Sequence, residues 1–542
     1  MKTPISRLCM LAACLQFFNL PATSAADLEI HFQEPLRGQL TPDAPVSLSI
    51  QVNNQDFSEL SIRLIDAPGI ARIFDGTGRL VRGSNIDIVG GLSFAAPATG
   101  SYRFELTADK PTTYRVIWTR RVPLEERLQS RAHSPAVGGP RIEALRKAVA
   151  AGIPGAVPAF WAEVESKGTP LVEPLADDTG HMLVTFLWKG NAGTRKVLLL
   201  WPAQNRTAPA ACAFSRVAET DVWYATLPVN KAKRALYRLV ENGPDLPDAA
   251  AAGAANDAMG MIWGMSQSDP LNPRPLEYLE NKADPPGFQG SSTLEMPDAP
   301  AQALLSRRAG IPAGKISVLR VGSTLLKNER KITVYTPPGF SPSAARYGAI
   351  YLMDGDDYIE RMHLDVLLDN LLAEHRIPPL VAVLVNNPPN ARGDLAAAAF
   401  PDFMSRELAP LIRRAYNVTD DPRRIIIGGK SLGGYAAAEV AYCFPDVFGN
   451  VLSQSAPLYS VEREFASTVC LPIRLYLSVG LDETDRGGLL AMNRTMHKTL
   501  QKKGYEVYYE EVDGGHDLMN WRITLPNGLL LLSKPALAPA AQ

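Results

Sequence analysis

A serine set between glycines is the first group in this sequence that could do chemistry. The run Ile425-Ile-Ile-Gly-Gly-Lys-Ser431-Leu-Gly-Gly-Tyr-Ala-Ala-Ala438 passes from an apolar strand through Gly429-Lys-Ser-Leu-Gly433 into an Ala-rich helix. A nucleophile on a tight strand-to-helix turn needs strained backbone, and bulky side chains two residues to either side would clash. Such a turn exposes the Ser431 hydroxyl at the C-terminal edge of a sheet, above a helix N-terminus. A serine hydroxyl also needs a base. Of the seven histidines, His31, His133 and His181 fall in predicted sandwiches or a linker, and His363, His375 and His497 fall in helical segments. His516 sits in the Gly-rich loop Val512-Asp-Gly-Gly-His516-Asp after an expected strand at 507–511, where a doubly wound hydrolase sheet carries its base. The acid is expected between the two in chain order, just past a strand at 473–479. Glu483 is favoured there, with Asp482 second and Asp485 third; the plain alternative for each is a solvated loop acid. An oxyanion needs two backbone N–H groups. Leu432, directly after the serine, supplies one, and Asp356 in the loop Asp354-Gly-Asp-Asp357 is the choice for the other. Asp354 and Asp357 could also form an acidic cation loop, but no further ligand spacing supports that.

These groups need a scaffold. From about residue 315, apolar strands alternate with helices: 331–340, 349–353, a helix at 363–374, 380–385, a helix at 402–415, then 424–427. That alternation predicts a doubly wound, mainly parallel α/β domain, which with the Ser431 turn reads as an α/β hydrolase domain over 291–535. Its strands are nearly continuous apolar runs, as in a sheet covered on both faces. Two β-sandwiches should precede it. Residues 26–122 alternate apolar and polar at 46–52, 61–65 and 102–106, with Gly, Pro, Asp and Asn between. The stretch Ala98-Thr-Gly-Ser-Tyr-Arg-Phe-Glu-Leu106 resembles the accessory sandwich beside secreted bacterial peptidases, for which a spacer or stabilising role is the plain reading. A linker at 121–140 and a short helix at 141–151 lead to a second sandwich over 140–290. It has a Trp/Tyr-rich face at 182–188 and 223–228, and an exposed loop is expected at 244–258.

Composition narrows the function classes. The chain has 542 residues, 46% hydrophobic and 20% charged, which is ordinary for globular proteins. Lys and Arg number 55 against 56 acids, a formal charge of -1, with no basic block to follow a phosphate backbone. Nucleic acid is therefore not expected as a partner. Lys2 and Arg7, the apolar stretch from Leu8 to Leu20 and the small residues Ala22 to Ala26 read as a signal peptide over 1–25, cut after Ala25 or Ala26. The apolar run is too short for an anchor, no later stretch is long enough to span a bilayer, and Cys14 is a poor lipoprotein box. An exported protein is expected. Of five cysteines, Cys212, Cys443 and Cys470 survive cleavage, so at most one bridge forms, with Cys443 and Cys470 one possible pair. No His/Cys spacing resembles a zinc site, and neither a metal nor a cofactor is expected.

Residues 160–525 resemble the enterochelin (enterobactin) esterases, hydrolases of iron-siderophore trilactones. The matching stretches are Gly168-Thr-Pro-Leu, Asp269-Pro-Leu-Asn-Pro, Leu294-Glu-Met-Pro-Asp-Ala-Pro300, Leu352-Met-Asp-Gly355, Gly428 to Gly434, Phe448 to Ser455 and Val512 to Arg522. The looser Tyr335-Thr-Pro-Pro-Gly-Phe340 belongs to the broader esterase D-like group. The resemblance implies nucleophile Ser431, base His516, acid Glu483 and a ferric catecholate siderophore as substrate, with iron entering only as part of that substrate. It places Arg392 where the family has an arginine facing an anionic substrate. Lys430, Arg522 and Trp521 join it as substrate-binding candidates by their positions beside Ser431 and His516. Lys430 stands where Gln or His is usual, and the signal peptide and first sandwich are additions to the cytoplasmic family plan. The competing readings are a general secreted carboxylesterase of feruloyl type and a non-catalytic siderophore-binding protein.

Overall fold

The computed structural model describes residues 29–128, 137–176, 178–201, 213–244, 252–277, 283–343, 345–388, 391–484 and 488–534. The expected signal peptide, Cys212 and Asp485 lie outside the described residues. The chain folds as two β-sandwiches followed by an α/β domain with a doubly wound, mainly parallel sheet.

The first sandwich pairs two four-stranded antiparallel sheets, Leu36–Leu40, Thr112–Val122, Phe57–Leu64, Val89–Ala95 and Val46–Val52, Gly100–Ala108, Gly69–Phe74, Leu80–Ile86. Alternation along these strands sends Leu60, Ile62, Phe104, Leu106 and Val116 into one dry core. The second sandwich repeats the plan, with the strands His181–Lys189 and Val222–Asn230 facing Val197–Leu200, Arg234–Glu241 and Gly290–Glu295 across Phe186, Trp223, Tyr237 and Leu239. Since Gly290–Glu295 is paired with Arg234–Glu241, this sandwich runs past residue 290, where the sequence reading ended it.

A second correction concerns the exposed loop expected at 244–258. Residues Ala252–Met265 form a helix whose Met259, Met261, Ile262 and Met265 are buried against Phe57 and Val122 of the first sandwich and Leu198, Leu200 and Val240 of the second. The Ala/Gly richness of its first half hides a methionine-rich second half that fills an irregular gap between domains. Arg82 adds a two-pronged ion pair across the same junction, with Nε 2.7 Å and Nη2 3.1 Å from the Asp284 carboxylate.

The α/β domain is built on eight strands in the order Lys315–Ser323, Asn328–Thr336, Leu380–Val385, Gly348–Met353, Ile425–Lys430, Asn450–Gln454, Arg474–Gly480 and Glu506–Val512. Asn328–Thr336 is antiparallel to both its neighbours, and the strands from Leu380–Val385 onward are parallel. The six-residue runs Gly348–Met353, Leu380–Val385 and Ile425–Lys430 are buried throughout, which explains why the first two and Ile425–Ile427 of the third are unbroken apolar sequence. The helix expected at 402–415 is present but contains a π-helical stretch, Phe403–Leu408. Pro410 has no N–H to donate to residue 406, and the neighbouring Ala409 amide reaches back to Met404 instead.

Candidate active site

Ser431 stands between the strand Ile425–Lys430 and the helix Leu432–Cys443, with φ 54° and ψ -126°. Few residues adopt that backbone, and packing holds it here. A Cβ on Gly429 would lie 2.4 Å from the Gly433 carbonyl carbon, so the two arms of the turn touch where only glycine fits. The Ser431 amide donates to the Gln454 carbonyl at 2.8 Å, tying the turn to the next strand.

His516 reaches this serine from the loop after the last strand. Its Nε2 lies 3.0 Å from Ser431 Oγ and its Nδ1 lies 2.7 Å from Glu483 Oε2. With Glu483 ionised, this network assigns the proton to Nδ1 and leaves Nε2 to accept from the serine. The ring packs edge-on against Trp521, centroids 5.1 Å apart.

Glu483 is 1% exposed, and its other oxygen is saturated. Oε1 accepts from Ser455 Oγ at 2.6 Å, the Gly480 amide at 2.8 Å and Asn520 Nδ2 at 3.1 Å. Three donors on one oxygen offset the desolvation of a buried carboxylate and aim the other oxygen at His516. The sequence reading left Glu483, Asp482 and Asp485 open; the structure puts Glu483 against the imidazole and turns Asp482 toward Lys233. Ser455 and Asn520 were not singled out, although Ser455 closes one of the matching stretches. Ser455 is also held by the Trp521 indole N–H at 3.0 Å.

Leu432 is the first residue of its helix, so its amide belongs to the first turn, whose N–H groups lack intrahelical acceptors. The expectation for Asp356 is corrected. Its amide donates to Asn386 Oδ1 at 2.6 Å and is not available to an oxyanion.

The expected cations are mostly already paired. Arg392 grips Asp354 with Nε at 3.0 Å and Nη2 at 2.8 Å. Lys430 is buried, its ammonium 2.6 Å from Asp357, 3.8 Å from Asp354 and 5.0 Å from the centre of the Trp521 ring. Burial alone would raise the Asp354 carboxyl, but Arg392, Lys430 and Asn387 outweigh it and hold it below its ordinary value. Arg522 differs. It donates to the Arg361 carbonyl through Nε at 2.7 Å, and no carboxylate within ion-pair distance faces it among the described residues. Burial, and the neighbouring charge of Arg234, lower its pKa from the usual arginine value. A pocket of about 180 Å³ lies beside His516, where the second sandwich meets the catalytic domain, lined by Asp517, Trp521, Arg361, Leu236 and Trp263.

Two family models match in sequence order. The family described as "Enterochelin esterase, N-terminal" covers residues 183–305, and the one described as "Putative esterase" covers residues 323–532. The chain belongs to the enterochelin esterase family. It is 27% identical over 412 residues to the iron(III) enterobactin esterase of Dickeya dadantii, covering 68% of this chain and 91% of that protein. An iron(III) salmochelin esterase of Escherichia coli O6:H1 is 26% identical over 421 residues, covering 72% and 97%. The crystal structure of the enterobactin esterase from Shigella flexneri in the presence of enterobactin superposes with a TM-score of 0.57 at 25% identity, covering 68% of this chain and 97% of that one. This enterochelin esterase family member is thus an esterase-type hydrolase, and its first sandwich lies outside both matched stretches. Cys443 and Cys470 are free thiols.

Proposed function

We propose that this protein is a serine esterase that cleaves the ester bonds of a ferric catecholate trilactone of enterobactin type, acting in the periplasm after export. The observation that carries the reading is the hydrogen-bonded series Ser431–His516–Glu483 inside a chain of this family. In the proposed reaction Ser431 Oγ attacks the ester carbonyl while His516 Nε2 takes its proton. Glu483 holds the imidazole in the required tautomer and stabilises the imidazolium. The Leu432 amide donates to the developing oxyanion. His516 then protonates the departing serine hydroxyl of the siderophore, and water releases the acyl group by the same steps in reverse. Iron is cargo and takes no part in the bond changes. Arg522, a partly buried guanidinium with no facing carboxylate among the described residues, supports an anionic substrate.

The test is to incubate the protein with ferric and iron-free enterobactin and with a neutral aryl ester, following products by chromatography. Linear trimer, dimer and monomer from the ferric trilactone are expected. Hydrolysis of the aryl ester alone favours a general carboxylesterase, a reading supported by the pairing of Arg392 and Lys430 with Asp354 and Asp357. For location, N-terminal sequencing of the exported protein is expected to start near Ala26 or Asp27; a retained Met1 or a lipidated Cys14 rules that out.

A further inference from the structure

The acid and the base arrive on two separate loops, and a third region reaches both. Lys233 ends the tight turn between the strands Val222–Asn230 and Arg234–Glu241 of the second sandwich. Its ammonium lies 2.6 Å from Asp482 Oδ2 and 2.7 Å from Asp513 Oδ1. Asp482 directly precedes Glu483, and Asp513 lies three residues before His516. The two loops also share backbone bonds, from the Leu481 amide to the Val512 carbonyl at 2.9 Å and from the Asp482 amide to the Gly514 carbonyl at 3.0 Å.

Lys233 is only 7% exposed, and its turn is anchored from behind. The Met296 amide donates to the Lys233 carbonyl at 3.0 Å, and the Asp298 amide to the Lys231 carbonyl at 2.8 Å. Without a cation, two carboxylates would face each other across the seam that must stay closed for Glu483 to reach His516. Burial pushes the Asp482 carboxyl up, Lys233 opposes this, and the charges of Asp513 and Glu483 add to it. A flexible surface pair would add little; this ammonium is buried and held by a neighbouring domain.

We propose that Lys233 is a positioning residue, a cation supplied by the second sandwich that clamps the acid loop to the base loop and so aligns Glu483 with His516. The proposal rests on the reading of Ser431, His516 and Glu483 as the catalytic set. It also gives the family's N-terminal domain a part in forming the catalytic geometry.

The experiment measures kcat and KM on a small neutral aryl ester with the full chain, with folding checked by circular dichroism and thermal midpoint. Lys233→Met is expected to lower kcat by about 30-fold with KM changed less than about twofold, the pattern of lost alignment. Lys233→Arg keeps the charge and should return kcat to within about threefold of wild type. The triple variant K233M/D482N/D513N removes the repulsion with the cation and should regain about tenfold over K233M. A folded K233M with wild-type kcat overturns the proposal. So does an equal loss in Lys233→Arg with no recovery in the triple variant, the signature of packing alone. If K233M does not fold, Asp513→Asn decides: it unties the base loop while Lys233 stays paired with Asp482, and unchanged kcat overturns the clamp. Ser431→Ala is run alongside. Activity retained there defeats the catalytic reading itself, whereas an inactive Ser431→Ala beside a fully active K233M defeats only the clamp.

Discussion

Two charge clusters flank Ser431, and they are built on opposite principles. Around Glu483, neutral donors from three elements saturate one carboxylate oxygen and leave the other for a single partner, His516. Around Lys430, three cations meet two aspartates: Arg392 pairs with Asp354, Arg361 with Asp357, and Lys430 lies between the two carboxylates, so each cation already has an acidic partner. The first arrangement keeps a net charge where an imidazolium would form; the second consumes its charge in holding loops together. The difference teaches that a cation near a nucleophile is a substrate ligand only if its charge is unspent. By that measure Arg522, which meets only a backbone carbonyl among the described residues, is better placed for an anion than Arg392.

The sharpest break in this comparison is Ser431→Ala, which should lower ester hydrolysis by about three orders of magnitude or more with the fold intact. More than about a tenth of the wild-type rate would remove Ser431 as nucleophile. Glu483→Gln tests the acid cluster next. It keeps the shape but not the charge, and kcat should fall roughly 100- to 10,000-fold, as for the acid of other serine triads. Asp482→Asn should cost less than about tenfold, because Lys233 still holds Asp513. Reversed magnitudes would mean that the neighbouring carboxylate is the acid.

The cation cluster is tested by affinity. Arg522→Ala should raise KM for the ferric trilactone by about tenfold, or ~1.4 kcal/mol, and leave a neutral ester nearly unchanged. Arg392→Ala should instead act on stability, by about 1 kcal/mol, because it strips Asp354 of a half-exposed partner. A larger KM effect at Arg392 than at Arg522 would show that its pair with Asp354 opens for substrate.

The smallest effect concerns Asp517, a buried carboxylate that contrasts with Glu483. Its Oδ1 caps the helix Leu518–Leu532 by accepting from the Met519 and Asn520 amides, but its Oδ2 has no partner among the described residues. Burial raises its pKa from 3.8 to about 6. The folded state then binds this proton more tightly than the unfolded chain, so the group's contribution to stability is complete below about pH 4 and is lost as pH rises through 6. Asp517→Asn keeps the capping oxygen. Thermal midpoints between pH 4 and 7 should show less of this falling component in the variant than in the wild type.

Much of this was legible in the residues. The elbow is local, because Gly429, Ser431 and Gly433 lie within five residues and their backbone demands do not depend on distant partners. The sheet strands were legible because burial on both faces leaves an unbroken apolar run. His516 followed from chain order and a Gly-rich loop. The Ala252–Met265 helix was missed because half of it is Ala and Gly, and what stabilises it is the pair of domain surfaces it fills. Asp356 was misjudged because an amide's availability depends on what else reaches it, here Asn386 from another strand end.

The sequence by itself determined the order of the elements, the nucleophile turn and the short set of acids that could serve the histidine, since periodicity, glycine spacing and chain order are local properties. Only the tertiary structure decided which acid faces His516, which cations keep unspent charge, and that Lys233 reaches both loops from a domain some 250 residues away in sequence. The physical reason is that a charge acts over a few ångströms through its partners. Partners remote in the chain are chosen by packing, which no local pattern records.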